Sequence, residues 1–171
     1  VVHATLGELP DAEAELYREA VDILLWRWGQ VRGQSPKDLL DGVKKQKIDL
    51  LVALRQLAYD VHARTPVRAG TAPDIPARDL VAAFQRLDPR RSEVWAEELL
   101  ASVQHRAGLL LPAGQGSYRF PHRTYQELLA GWHLVHQPDF PQRAARLLRG
   151  DATPWLKEVL LVVGLLVSEG L

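Results

Sequence analysis

A chain of 171 residues, 47% hydrophobic and 25% charged, has the make-up of a globular domain with a real core, which excludes the disordered, fibrous and membrane-embedded classes. Lysine plus arginine equal aspartate plus glutamate at 21 each, so the basic excess of a dedicated nucleic-acid binder is missing. With no cysteine in the sequence, disulfide frameworks, thiolate metal sites and cysteine nucleophiles are excluded, and a reducing, cytoplasmic setting fits.

Leu9-Pro10-Asp11 reads as a helix entrance, with Asp11 and Glu13 at its positive end. Leu16, Ala20, Ile23 and Leu24 recur at helical spacing and predict a helix to about Gln30. Gly33-Gln34-Ser35-Pro36 ends it; Ser35 caps a second helix with Pro36 at its first position, and Ile48, Leu51, Leu54, Leu57, Ala58 and Val61 keep the 3.6 period up to Pro66. Thr65 to Pro76, with three prolines and a glycine, reads as a loop. A short helix over Asp79 to Leu87 follows, then a break at Asp88-Pro89-Arg90-Arg91. Ser92 caps a longer helix carrying Val94, Trp95, Leu99, Leu100 and Val103.

Beyond Gly108 the pattern changes to two short apolar runs around the turn Ala113-Gly114-Gln115-Gly116, which predicts a hairpin. A helix from Thr124 to about His136 comes next. Pro138 and Pro141 interrupt, and helices over Gln142 to Leu148 and Pro154 to Val167 close the chain. The apolar run from Val159 to Val167 is far short of the roughly 20 residues of a bilayer span. No signal peptide opens the chain; it begins on Val1-Val2 and ends straight after an apolar stretch, which predicts a piece of a longer protein. The order of elements predicts a mainly α fold: a helical array containing a winged-helix domain with one small β-hairpin, at about 109–112 and 117–120.

A winged helix suggests a DNA reader, but the helix ahead of the wing carries Glu93, Glu97 and Glu98 against Arg106, and carboxylates are repelled by phosphates. DNA binding by a transcriptional regulator stays as the alternative. Phosphate-loop, dinucleotide, zincin and nucleophile-elbow motifs are all missing, so no catalytic residue is assigned to this chain. His133 and His136 share a helix face three residues apart, without a carboxylate a turn further on, and suit the negative end of the helix better than a metal. Trp26, Trp28, Trp95, Trp132 and Trp155 fall in helical segments as packing residues, and one of Trp26 and Trp28 is expected at a contact with another part of the protein.

The best candidate site is Tyr118 to Glu127. Thr124 and Glu127 have the T-x-x-E spacing of a capping box. His122 and Arg123 stand beside the positive end of that helix, where a phosphate is a plausible guest.

The same residues carry a family likeness. Leu9-Pro10, Leu16-Tyr17, Leu24-Leu25 and Arg27-Trp28 resemble the helix that follows the nucleotide-binding core of bacterial NACHT proteins, in the STAND class of signal-transducing NTPases. Gly108-Leu109-Leu110 and Tyr118-Arg119-Phe120-Pro121-His122-Arg123-Thr124-Tyr125-Gln126-Glu127-Leu128-Leu129-Ala130 resemble their wing and following helix. Gly131-Trp132 departs from the small or aliphatic residues usual there, and Pro154 to Val159 resembles the opening of the next helical domain.

The resemblance implies three parts: the end of a first helical domain (1–35), the winged helix (36–137) and the start of a second helical domain (138–171). It implies that His122, with Arg123 a weaker candidate, contacts the phosphates of ADP or ATP, bound with Mg mostly by an NTPase core of the same polypeptide. Exchange to the triphosphate would then free the winged helix, with homo-oligomerisation on activation, in a setting such as bacterial antiviral defence. On that reading the whole protein is an ATPase and this chain alone is not.

Overall fold

A computed structural model describes residues 16, 18–23, 35–64 and 72–149, apart from the side chains of 105–107 and 148. The helix expected over 154–167, the Trp26, Trp28 and Trp155 rings and most of the 65–76 loop lie outside the described residues.

Ser35 caps helix α1 (Pro36–Gly42) through a reciprocal capping box, its hydroxyl accepting from Asp38 N–H at 3.1 Å while the Asp38 carboxylate accepts from Ser35 N–H at 2.8 Å. Lys44, at φ 58°, turns the chain into α2 (Lys47–Arg64). The apolar period of α2 buries Leu50, Leu54, Leu57, Ala58 and Val61 on one side.

After β1 (Ile75–Pro76) come α3 (Ala77–Gln85), α4 (Glu93–Ala107), β2 (Leu111–Pro112), β3 (Ser117–Arg119), α5 (Arg123–Val135) and α6 (Phe140–Arg149). The strands form one antiparallel sheet in the order β1-β3-β2, pairing Ile75 with Tyr118 and Leu111 with Arg119. The sequence α2-β1-α3-α4-β2-β3 with β3 central is a winged helix, and the expected hairpin is its wing.

The strand at Ile75–Pro76 corrects the reading of Thr65 to Pro76 as loop throughout. Two residues carry no periodicity, and a proline argues against a strand. Pro76 and Pro112 are tolerated because β1 and β2 are the outer strands, whose prolines leave the β3 ladder intact. The Asp74 carboxylate holds Arg119 at 2.7 Å across the same edge. Pro141, read as an interruption, falls in the first turn of α6, where a missing N–H breaks no helical hydrogen bond.

One apolar cluster runs through the domain: Leu40 of α1, Leu50 and Leu54 of α2, Ile75 of β1, Leu80 and Phe84 of α3, Leu99 and Val103 of α4, Leu109 and Leu110 before the wing, Phe120 after it, and Leu129 of α5. Val21, in a helical stretch at 18–22, reaches the same cluster. The most extensive helix pairing is α2 with α5, so the position of α5 is set by the body of the domain rather than by the wing.

Candidate functional site

The segment between wing and α5 is anchored at one end and free at the other. Phe120 is sunk in the core at 1% exposure, while Pro121 and His122 stand at the surface. His122 has extended backbone (φ −137°, ψ 143°) and is the N-cap of α5. Its Nδ1 accepts from Thr124 N–H at 3.2 Å and lies 2.9 Å from Thr124 Oγ1. A backbone hydrogen has a fixed direction, so Nδ1 must be the bare nitrogen and the ring proton sits on Nε2.

The expected capping box of Thr124 and Glu127 does not form. Thr124 is already inside the helix, 2% exposed, and donates its N–H instead of accepting one. Glu127, 4% exposed, turns into the domain, and its Oε1 accepts from Arg123 Nε at 2.7 Å. Identical T-x-x-E spacing serves a helix whose cap lies two residues earlier, because the buried Phe120 brings the chain into α5 with His122 at the cap. His122 and Arg123 are adjacent as expected but differently engaged: His122 keeps a donor at the exposed helix start, while the Arg123 guanidinium holds a carboxylate with only 20% of its side chain exposed.

Behind this start α5 is unusually polar for a buried helix. Gln126 is fully buried, and neither its amide oxygen nor its nitrogen has a hydrogen-bond partner. Arg55 of α2 stacks its guanidinium 3.8 Å from the centre of the Trp132 ring, which explains the tryptophan that departs from the expected small residue. Gln126 and Arg55 gave no sequence signal, since a polar residue at a core spacing reads as surface.

At the other end of α5 both histidines are occupied within the helix. His133 Nε2 accepts from Gln137 Nε2 at 3.0 Å, and His136 Nδ1 donates to the Trp132 carbonyl at 2.8 Å. Among the described residues no group of three or more histidine, aspartate or glutamate side chains could hold a metal ion, and no helix is long and apolar enough to cross a membrane.

The other candidate surface is α4, the helix a DNA-reading winged helix lays in the major groove. Its entrance is built by Asp88, whose carboxylate accepts from Arg90 N–H at 3.0 Å and Ser92 N–H at 2.9 Å, while Ser92 Oγ caps the helix by accepting from Trp95 N–H at 3.2 Å. Trp95 faces inward, its indole N–H donating to the Leu39 carbonyl at 3.3 Å. What α4 leaves exposed is Glu93, Val94, Glu97, Glu98 and Ala101. Arg90 and Arg91 are exposed just ahead of it, whereas the side chains of His105 and Arg106 lie outside the described residues.

The chain matches a protein-family model described as the winged helix-turn-helix domain C-terminal to NACHT, over residues 13–134. No curated protein and no solved structure matches it.

Proposed function

Because the chain belongs to the family of winged helix-turn-helix domains C-terminal to NACHT, we propose that it is the regulatory latch of a NACHT-type NTPase, closing through His122 on the phosphates of ADP held mainly by the NACHT core. The observation that carries this reading is the cap of α5: with Nδ1 spent on Thr124 N–H, the one hydrogen the exposed His122 ring can give a ligand is on Nε2.

The residues present fit a phosphate. Nε2–H is a donor, and the N-terminus of a 13-residue helix contributes roughly half a positive charge beside it. When bound, the nucleotide with its Mg supplies negative charge and, in the core, the chemistry of hydrolysis. The part of this chain is to hold one oxygen and, through the α2–α5 packing, to tie that contact to the whole winged helix. Exchange to the triphosphate shifts the closed state only as far as the two nucleotides differ in their contact with His122. Release of the latch exposes surface for self-association, and bacterial antiviral defence is the setting we assign to it.

His122→Asn is the informative variant, because asparagine is a good N-cap and keeps α5 started while removing the Nε2 donor. In a polypeptide that carries the NACHT domain ahead of this one, the variant is expected to release ADP more readily by roughly ten- to a hundredfold, the effect of losing one charge-assisted hydrogen bond of about 1.5 to 3 kcal/mol. Unchanged ADP retention in a folded His122→Asn protein, read by nucleotide content after purification and by stopped-flow displacement, overturns the proposal.

A further inference from the structure

We propose that Thr124 is a positioning residue for the latch: its buried hydroxyl and its backbone N–H together hold the His122 ring in the Nε2–H tautomer and in one orientation, ready to donate to phosphate. This deepens, and rests on, the reading of His122 as a phosphate contact.

The geometry is specific. Thr124 Oγ1 lies 2.9 Å and Thr124 N 3.2 Å from the same ring nitrogen. The N–H cannot turn away, since its nitrogen is already part of the helix, so Nδ1 can only accept; the hydroxyl hydrogen is free to rotate and joins as a second donor to the same lone pair. If the ring carried its proton on Nδ1 instead, that hydrogen would meet the Thr124 N–H head-on, and a bare Nε2 would confront a phosphate oxygen with two lone pairs facing each other. A neutral histidine at this helix start is therefore useful to an anion in only one of its two tautomers, and Thr124 selects it.

Burial makes the selection rigid. Thr124 is 2% exposed, so its hydroxyl has little water to turn to, whereas His122 beside it is exposed and its ring would otherwise sample several rotamers. The next side chain is engaged differently, Arg123 Nε being committed to Glu127 at 2.7 Å. A ring held before the ligand arrives loses less orientational freedom on binding, which strengthens the contact without adding one.

Three variants test the role. Thr124→Val removes the hydroxyl and keeps the size, branching and backbone N–H; Thr124→Ser restores the hydroxyl; His122→Asn removes the ring. In the 171-residue chain at neutral pH, two-bond ¹H–¹⁵N spectra of the His122 ring are expected to show Nδ1 bare and Nε2 protonated in the wild type. In Thr124→Val, which keeps the backbone N–H, the Nε2–H tautomer should persist while the ring samples more than one orientation, seen as averaged ring shifts, and in Thr124→Ser the single orientation should return.

In the polypeptide with its NACHT domain, Thr124→Val is expected to speed ADP release about two- to tenfold, the range for one neutral hydrogen bond. Adding it to His122→Asn should bring no further change, because without the ring there is nothing to position. A wild-type ring protonated on Nδ1, or full ADP retention in Thr124→Val while His122→Asn loses it, overturns the positioning role and leaves the latch standing. Unchanged ADP retention in His122→Asn overturns the latch itself, and the positioning role with it.

Discussion

His133 sits where α5 meets α2 and α6, its ring centroid 5.1 Å from that of Tyr59 at a 45° tilt. Burial holds its pKa below the ordinary histidine value; the Asp60 carboxylate opposes this, and Arg143, His136 and Arg55 reinforce it. A histidine lowered in the fold binds fewer protons there than in the unfolded chain. Its contribution to stability is therefore complete above the unfolded value of about 6.5 and is lost as pH falls through the lower folded value. Asp88 is also lowered, first by the N–H groups of Arg90 and Ser92, with burial opposing and the Arg90 charge assisting. Its contribution is present above about pH 3.9 and lost as pH falls through its own folded value. The two losses have the same sign in separate windows. Urea unfolding is expected to show wild-type stability declining between pH 7.5 and 5 by more than that of His133→Gln, and to show Asp88→Asn flattening only the part below about pH 4. Equal declines for wild type and His133→Gln over the upper window would refute the assignment.

The elements follow from local chemistry to different degrees, and the wing is the clearest case. Gly116 has φ +68°, a conformation in which a Cβ crowds the backbone whatever space surrounds it, whereas Gly42, at the end of α1, would place a Cβ with nothing within 4 Å. Gly116→Ala should cost about 1–2 kcal/mol, while Gly42→Ala should gain about 0.4–1 kcal/mol by restricting the unfolded chain. Opposite shifts of the urea midpoint for these two single-methyl changes are the expected result, and a stable Gly116→Ala would show that the wing turn is not as described. Such glycines, like Ser35 and Ser92, are legible because the signal and the structure lie within a few residues of each other. The start of α5 was legible only to within two residues. T-x-x-E spacing is the same whether threonine caps the helix or sits inside it, and the choice was made by the burial of Phe120, which the spacing does not contain. β1 escaped for the opposite reason: it exists only because β3 arrives from more than 40 residues later to pair with it.

At the scale of the molecule, one core runs from Leu40 to Leu129 and ties both candidate surfaces, the cap of α5 and the face of α4, to a single body. The order of elements came through in the sequence because that core is built from apolar residues at helical spacing, and the family came through the resemblance carried by Tyr118 to Ala130. The polar buried residues behind the site did not, since Arg55 and Gln126 owe their burial to α2 meeting α5. The choice between the two surfaces is electrostatic. Among the described side chains a duplex laid along α4 would meet Glu93, Glu97 and Glu98, with Arg90 and Arg91 at its entrance, on a chain whose formal charge is +0. Release of condensed counterions drives nonspecific DNA binding and requires several cations on one face, each steepening the salt dependence by about 0.9 in log–log slope. Arg90 and Arg91, even with Arg106 of the same helix, are few cations to set against three carboxylates. The chain is therefore expected to bind random duplex DNA more weakly than about 10⁻⁴ M at physiological salt, the weak end of nonspecific binding. Fluorescence anisotropy across 50–200 mM salt checks this. A dissociation constant in the micromolar range with a slope of several units would favour α4 as a DNA-binding face over the proposed latch at the α5 cap, whereas flat, weak binding counts against the DNA-binding alternative.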